Sequence, residues 1–238
     1  MVSLFGMEFS VRISLKRKSL SPQVDAAVRD VVLKTYSQFH EDLVLRQIFE
    51  RRNNGFYIDI GTNHPAYRNN TKKFYDIGWR GINIEPNLKL YKVLLEQRLN
   101  DTNINCGVGD VAGEMLFYEM IPDCYSTFDA KNAMKAMYST RRKVVSETRI
   151  PIMTINEIFA LHEGVVDFLS IDTEGFDYKV LSVNDWKRNR PFAIVVELNQ
   201  DIKNRIYDLL IDNGYHLVHY NFTNGIFVSE EYVSLLSV

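Results

Sequence analysis

A strand that ends in an acid and a glycine constrains this chain more than any other stretch. In Gly55-Phe56-Tyr57-Ile58-Asp59-Ile60-Gly61-Thr62-Asn63 a short apolar, strand-prone run meets an acidic residue and a glycine, then a polar turn. That pattern predicts a buried parallel strand closed by a sharp strand-to-helix turn. In an open α/β sheet, ligands bind in the crevice beyond the carboxyl ends of such strands. Gly61 can take a conformation that other residues avoid and lets a ligand approach the backbone. Asp59 brings to the same place a charge that is expensive to bury without a donor or a cation.

The rest of the chain repeats the unit. After residues 56–60, Asn69-Asn70-Thr71 supplies cap-type side chains for a short helix through residue 77. A second strand, 81–85, has an acidic end at Glu85, and a helix covers 87–98. A third strand is expected over 103–108, closed by Gly109-Asp110, with a short extra strand at 115–118. Thr154-Ile155-Asn156-Glu157 has capping-box spacing. Residues 165–171 form a strongly apolar strand delivering Asp172, and 192–196 another delivering Glu197. Helices at 176–183 and 201–212 and a final antiparallel hairpin, 215–219 with 225–228, complete the series. The expectation is an α/β fold: a Rossmann-like, seven-stranded, mostly parallel sheet with one antiparallel strand and right-handed crossovers over residues 53–238. A leader and helical extension, 1–52, precedes it, with helices at 23–34 and 43–52.

Composition narrows the function classes. The 28 basic against 30 acidic residues give a net charge of −2, so nothing global points to nucleic acid. Two cysteines, Cys106 and Cys124, read as reduced thiols in a cytoplasmic protein rather than a disulfide framework. No apolar run reaches the roughly 18 residues of a transmembrane helix, and the N-terminus lacks the pattern of a secretory signal. The basic cluster Arg12, Lys16, Arg17 and Lys18 reads as a solvated leader.

Glu85 follows Gly61 at about the 20-residue spacing that lets a carboxylate on the next strand accept both ribose hydroxyls of a nucleoside. NAD and S-adenosylmethionine both fit that geometry; the glycine turn separates them. A dinucleotide needs several glycines so that bare amides can pack on a pyrophosphate. Here Gly61 stands alone, with Asn63 and Pro65 where further glycines would help. S-adenosylmethionine carries no phosphate, and its cationic methionine end suits Asp59.

Several ordered motifs resemble a known family. Tyr36-Ser37-Gln38-Phe39 with Glu41-Asp42-Leu43, Phe56 to Gly61 with Asn63-His64-Pro65, Gly78-Trp79-Arg80-Gly81-Ile82-Asn83-Ile84-Glu85-Pro86-Asn87, and Val166 to Gly175 are similar to the FkbM family of class I methyltransferases. The resemblance covers about residues 36–228. It implies an S-adenosylmethionine-dependent O-methyltransferase acting on hydroxyls of sugars or polyketides. Carried over, Asp59, Gly61, Thr62 and Asn63 hold the methionine end, Thr62 standing where the family often has alanine. Glu85 takes the ribose, Pro86 and Asn87 shape the adenine pocket, Val108 and Asp110 flank the adenine, and Gln38 lids the cofactor.

A sugar hydroxyl is a weak acid and needs a base or a metal to become a nucleophile. The catalytic candidates are Asp172, Glu174, Glu197 and His64. In one mechanism Asp172, Glu197 and Asn199 bind Mg2+ or another hard divalent cation that acidifies the hydroxyl. In the other, Glu174 or His64 acts directly as base. The plainer alternative makes Glu174 a helix cap and pairs Glu197 with a nearby cation. The irregular stretch 121–149, with Tyr125, Ser126, Thr127, Phe128, Tyr138, Arg141 and Arg142, is expected to be a lid over a sugar or glycan acceptor. A glycan or nucleotide-sugar methyltransferase of surface-polysaccharide biosynthesis leads. Polyketide methylation, a nicotinamide-dependent reductase and an inactive nucleoside-binding module are the alternatives, and the oligomeric state stays open.

Overall fold

Apolar strands covered on both faces carry the site. In the computed structural model residues 34–138, 141–198 and 203–236 are described. The basic cluster at 12–18, almost all of the helix expected at 23–34, and Asn199 lie outside them. Within the unit Thr35–Val238 the main sheet contains β1 (Phe56–Ile60), β2 (Arg80–Ile84), β3 (Thr102–Ile104), β7 (Phe168–Ile171), β8 (Ala193–Glu197), β9 (Tyr215–Tyr220) and β10 (Asn224–Ser229). They lie in the order β3-β2-β1-β7-β8-β10-β9. Pairs from β3 through β8 are parallel, and β10 runs antiparallel to both neighbours. The expected sheet with one reversed strand is what forms. Chain order reverses between β1 and β7, the topological switch point at which such sheets bind ligands.

Alternate strand residues feed two cores. Ile58, Ile60, Leu169, Ile171, Ile194 and Val196 share one. Tyr57, Phe168, Val195 and Ile226 share the other, with Phe49, Phe74 and Trp79. α1 (Glu41–Ile48) supplies Leu45 to this aromatic core. It packs into the same unit as the sheet. α2 (Lys72–Asp76) and α3 (Leu88–Gln97) follow β1 and β2.

Two segments depart from the expectation. The strand expected over 103–108 splits into β3, in the main sheet, and β4 (Gly107–Gly109), in a second one. Asn105 is the hinge: its side-chain amide donates to the carbonyls of Glu85 and Pro86, at 2.8 and 3.0 Å, and turns the chain out of the main ladder. The second sheet has the order β4-β6-β5, with β5 (Gly113–Ile121) antiparallel to β6 (Lys143–Thr154). The stretch 121–149 is thus largely an antiparallel arm. Between its strands lie a 3-10 turn (Asp123–Tyr125) and α4 (Ala130–Met137). Residues 143–147 alternate between exposed and half-buried, but Val145 faces out and Ser146 in, which left no apolar–polar alternation to read. The Thr154–Glu157 capping box forms as expected on α5 (Ile155–Phe159). α6 (Asp177–Ser182) and α7 (Lys203–Asp212) follow β7 and β8, and α8 (Glu230–Leu236), which the sequence reading lacked, closes the described chain.

One buried cation ties β1, α2 and α3 together. Arg98, with no exposed surface, holds its Nε 3.5 Å from Asp101 Oδ2. It lies over the Tyr75 ring at 4.7 Å and donates to the Thr71 hydroxyl. Tyr57 donates its hydroxyl to Asp101 at 2.6 Å. Arg98→Met leaves Asp101 without its cation and is expected to cost about 3–5 kcal/mol, read as a shift of the urea midpoint at unchanged slope. A loss below about 1 kcal/mol, the scale of a solvated pair, contradicts this role.

Candidate active site

Beyond the carboxyl ends of the central strands lies a cavity of about 730 Å³, within the roughly 300–1,000 Å³ of small-ligand sites. Gly61 forms its floor with φ +76°, and a Cβ there would sit 1.9 Å from the Asp172 carbonyl oxygen. The turn after β1 therefore packs directly on the end of β7. Its amides are all spent on the protein. Gly61 N and Thr62 N donate to the Ile84 carbonyl at 3.0 and 3.1 Å, and Asn63 N donates to Glu85 Oε2 at 2.7 Å. The Thr62 hydroxyl braces the Asp59 carbonyl at 2.9 Å. No bare amide cradle remains here for a pyrophosphate.

Two carboxylates border this turn. Asp59 Oδ2 accepts from the Thr71 hydroxyl at 2.9 Å and from Asn69 Nδ2 at 3.3 Å. Burial pushes its carboxyl up to about 6, against the pull of Arg98 and these donors. Glu85 is pinned by Asn63 N and, on Oε1, by Asn87 N at 2.8 Å. Burial pushes Glu85 up to about 7 despite both amides. Asn87 also caps α3, accepting from Lys89 N at 2.9 Å. Pro86, Val108, Leu90, Cys106, Phe117 and Phe128 give the cavity an apolar wall, the two phenylalanine rings 4.9 Å apart.

The opposite wall is acidic. Asp172, Glu174 and Glu197 all line the cavity, from the ends of β7 and β8. Glu174 is left-handed at φ +51°, and its carbonyl accepts from the Thr127 hydroxyl at 3.1 Å and Asn132 Nδ2 at 3.4 Å. Burial, then the charges of Asp172, Glu197 and Asp177, pushes Glu174 up to about 9. Asp172 meets solvent through the cavity, yet the surrounding protein raises its carboxyl as well. That penalty is largest once a ligand displaces the water. Behind them Asp177 is fully buried. Its Oδ1 accepts from Thr173 N and Oγ1 at 2.9 and 3.0 Å, which holds the turn between Asp172 and α6, while Oδ2 has no hydrogen-bond partner.

Of the sequence candidates, Gln38, Asp59, Gly61, Thr62, Asn63, Glu85, Pro86, Asn87, Val108, Asp172, Glu174 and Glu197 line this one cavity. Two do not. Asp110 is exposed at the end of β4, because the split of the third strand carries it into the second sheet. His64 lies off the cavity wall, and its Nδ1 accepts the amides of Ala66 and Tyr67, both at 3.1 Å. Through Nδ1 it braces its own loop. Asn199, the third expected metal ligand, is outside the described residues. Among the described residues no group of three or more His, Cys, Asp or Glu gathers to hold a metal. From the arm, Tyr125, Ser126, Phe128 and Arg142 line the cavity, whereas Thr127 is buried and Tyr138 points to solvent. Sequence reasoning missed Asn69, Arg68, Asp123, Ser170 and Asn224, which also line it. For Asn69 the signal was present but was read only as a helix cap.

The donor set fits S-adenosylmethionine: carboxylates for hydroxyls and an ammonium, spent amides where phosphate would bind, and an apolar wall for a base. A family model described as the methyltransferase FkbM domain matches residues 59–217. No curated protein matches the chain. Among solved structures, a putative caffeoyl-CoA O-methyltransferase from Staphylococcus aureus is 12% identical, with 88% of this chain and 92% of that one covered and a TM-score of 0.46. Precorrin-6y C5,15-methyltransferase from Geobacter metallireducens is 11% identical, with 79% and 86% covered and a TM-score of 0.42. A putative RNA methyltransferase from Pyrococcus horikoshii is 11% identical, with 84% and 89% covered and a TM-score of 0.41. Among the described residues no helix is long and apolar enough to cross a membrane. The family match runs from the glycine turn through the acidic strand ends to β9, and the chain belongs to the FkbM family of S-adenosylmethionine-dependent methyltransferases.

Proposed function

We propose that the chain is an O-methyltransferase acting on a sugar hydroxyl, in a glycan or nucleotide-sugar. The observation that carries this reading is the acidic wall: Asp172, Glu174 and Glu197 face one cavity, and Glu174 is shifted far toward the basicity that a weakly acidic hydroxyl demands. S-adenosylmethionine, when bound, supplies an electrophilic methyl group on a sulfonium. Glu85 takes the ribose hydroxyls, and Asp59 with the Gly61–Asn63 turn faces the methionine end. Pro86, Asn87 and Val108 border the base. Glu174 receives the acceptor's proton, with Asp172 and Glu197 beside it. The test is methyl transfer to a panel of nucleotide-sugars and oligosaccharides, read by mass and by the position of the new methyl group. A methyl ether on a sugar is expected. Transfer only to nitrogen or carbon acceptors overturns the reading.

Glu85 makes cofactor affinity pH-dependent. Its carboxyl is raised to about 7 before binding, and ribose hydroxyls donate to the ionised form. Binding therefore lowers that pKa and releases a proton below about 7. Affinity for S-adenosylhomocysteine is expected to fall about tenfold per pH unit below that point and to be flat above it. Calorimetry in buffers of different ionisation heat reads the proton directly. No proton release near this pH removes Glu85 from the ribose.

A further inference from the structure

The cavity has an acidic wall but carries two arginines in its lining, Arg68 and Arg142. Both are exposed. Each guanidinium lies over a tyrosine, Arg68 over Tyr67 at 5.4 Å and Arg142 over Tyr125 at 3.7 Å. Stacking fixes the plane of a guanidinium while leaving its N–H edge free to donate. Among the described residues neither makes a hydrogen bond or an ion pair. They converge on one element. Arg68 lies close enough to Cys124 for its charge to act on the thiol, and Tyr125, under Arg142, is the next residue of the same 3-10 turn. Arg68 is also held left-handed, at φ +53°, an outlier of the sort that clusters at ligand clamps. Asp123 and Glu174 line the same cavity, and the Arg142 charge acts on Glu174 against its upward shift.

Both guanidinium edges are thus left to a ligand that enters the cavity mouth. We propose that Arg68 and Arg142 clamp an oxyanion of the acceptor, a phosphate or a carboxylate, at the mouth of the cavity. The clamp rests on the methyl-transfer reading and narrows it: the acceptor is an anionic sugar, such as a nucleotide-sugar or a uronic acid glycoside. The polarity also orients it. The anion is held by Arg68 and Arg142, and a hydroxyl on the far side of the sugar reaches the acidic wall at Glu174 and Glu197. A bidentate guanidinium contact is both stronger and more directional than a neutral hydrogen bond.

Calorimetry on the full chain tests the clamp. S-adenosylhomocysteine is titrated first, and the loaded protein then receives UDP-glucose, methyl glucuronide or methyl glucoside. At least one anionic probe is expected to bind about tenfold or more tighter than the neutral glycoside, and to weaken with added salt. UDP-glucose alone binding identifies a phosphate, and methyl glucuronide alone a carboxylate. Arg68→Ala with Arg142→Ala is expected to erase that preference while S-adenosylhomocysteine affinity and melting temperature stay as in the wild type. Equal binding of charged and neutral probes, no binding of either anionic probe, or an anion preference that survives in the double variant overturns the clamp. Failure of the first titration counts instead against the methyltransferase reading.

Discussion

Glu174→Gln is expected to lower kcat by about 10²–10⁴-fold, the range of a positioned general base, while S-adenosylhomocysteine affinity changes by no more than a few-fold. The amide keeps the shape of the side chain and cannot accept the proton. The left-handed turn is fixed by backbone contacts, the Glu174 carbonyl with Thr127 and Asn132, so the substitution leaves it in place. The pH profile gives a second reading of the same group. Because Glu174 is raised to about 9, the base is mostly protonated at neutral pH, and kcat/KM is expected to climb through neutrality and level off near that value. A sulfonium beside the carboxylates favours their ionised form, so the midpoint in kcat should lie lower than in kcat/KM. A wild-type turnover in the glutamine variant acquits Glu174. A variant that loses turnover and cofactor affinity together assigns it to binding instead.

Gly61→Ala should be more damaging still. The residue sits at φ +76°, and the added methyl would lie 1.9 Å from a backbone oxygen that belongs to the end of β7. The collision is with main chain, so no rotamer relieves it; β1 and β7 must separate at the switch point. Backbone strain of this kind costs on the order of 1–3 kcal/mol by itself, and the forced separation adds to it. We expect a loss of about 3 kcal/mol or more in stability, together with loss of measurable S-adenosylhomocysteine binding. Thr62→Ala is the control at the next position. It removes one hydroxyl contact to the Asp59 carbonyl, worth about 1 kcal/mol, and leaves the turn intact. Near-wild-type melting and binding in Gly61→Ala would show that the turn is not the pivot described here.

The parts of the site that were legible in the sequence are those in which a charge interrupts an apolar strand. Asp59, Glu85, Asp172 and Glu197 stand out because a carboxylate at the end of a buried run must meet something, and all four line one cavity. Asp110 was misread for a tertiary reason. Whether 103–108 stays in one sheet depends on Asn105 reaching the carbonyls of Glu85 and Pro86, which no local pattern announces. His64 has the chemistry of a base, and that its Nδ1 also closes a loop is likewise not written in the local sequence. Arg98 looks like an ordinary residue at a helix end, and only the packing of Tyr57 and Tyr75 around it makes it the buried cation under Asp59. The arm from β5 to β6 was illegible because its outward face carries Val145 and its inward face Ser146, so side-chain polarity does not follow the burial.

The central claim is that the crevice beyond the sheet takes a phosphate-free sulfonium nucleoside, because the amides of Gly61, Thr62 and Asn63 are already spent on Ile84 and Glu85. Calorimetry of the purified chain with S-adenosylhomocysteine and with NADH, above and below pH about 7, tests it most directly. Saturable binding of S-adenosylhomocysteine with proton release on the acid side, and no heat from NADH, is the predicted result. Saturable binding of NADH with none of S-adenosylhomocysteine contradicts it.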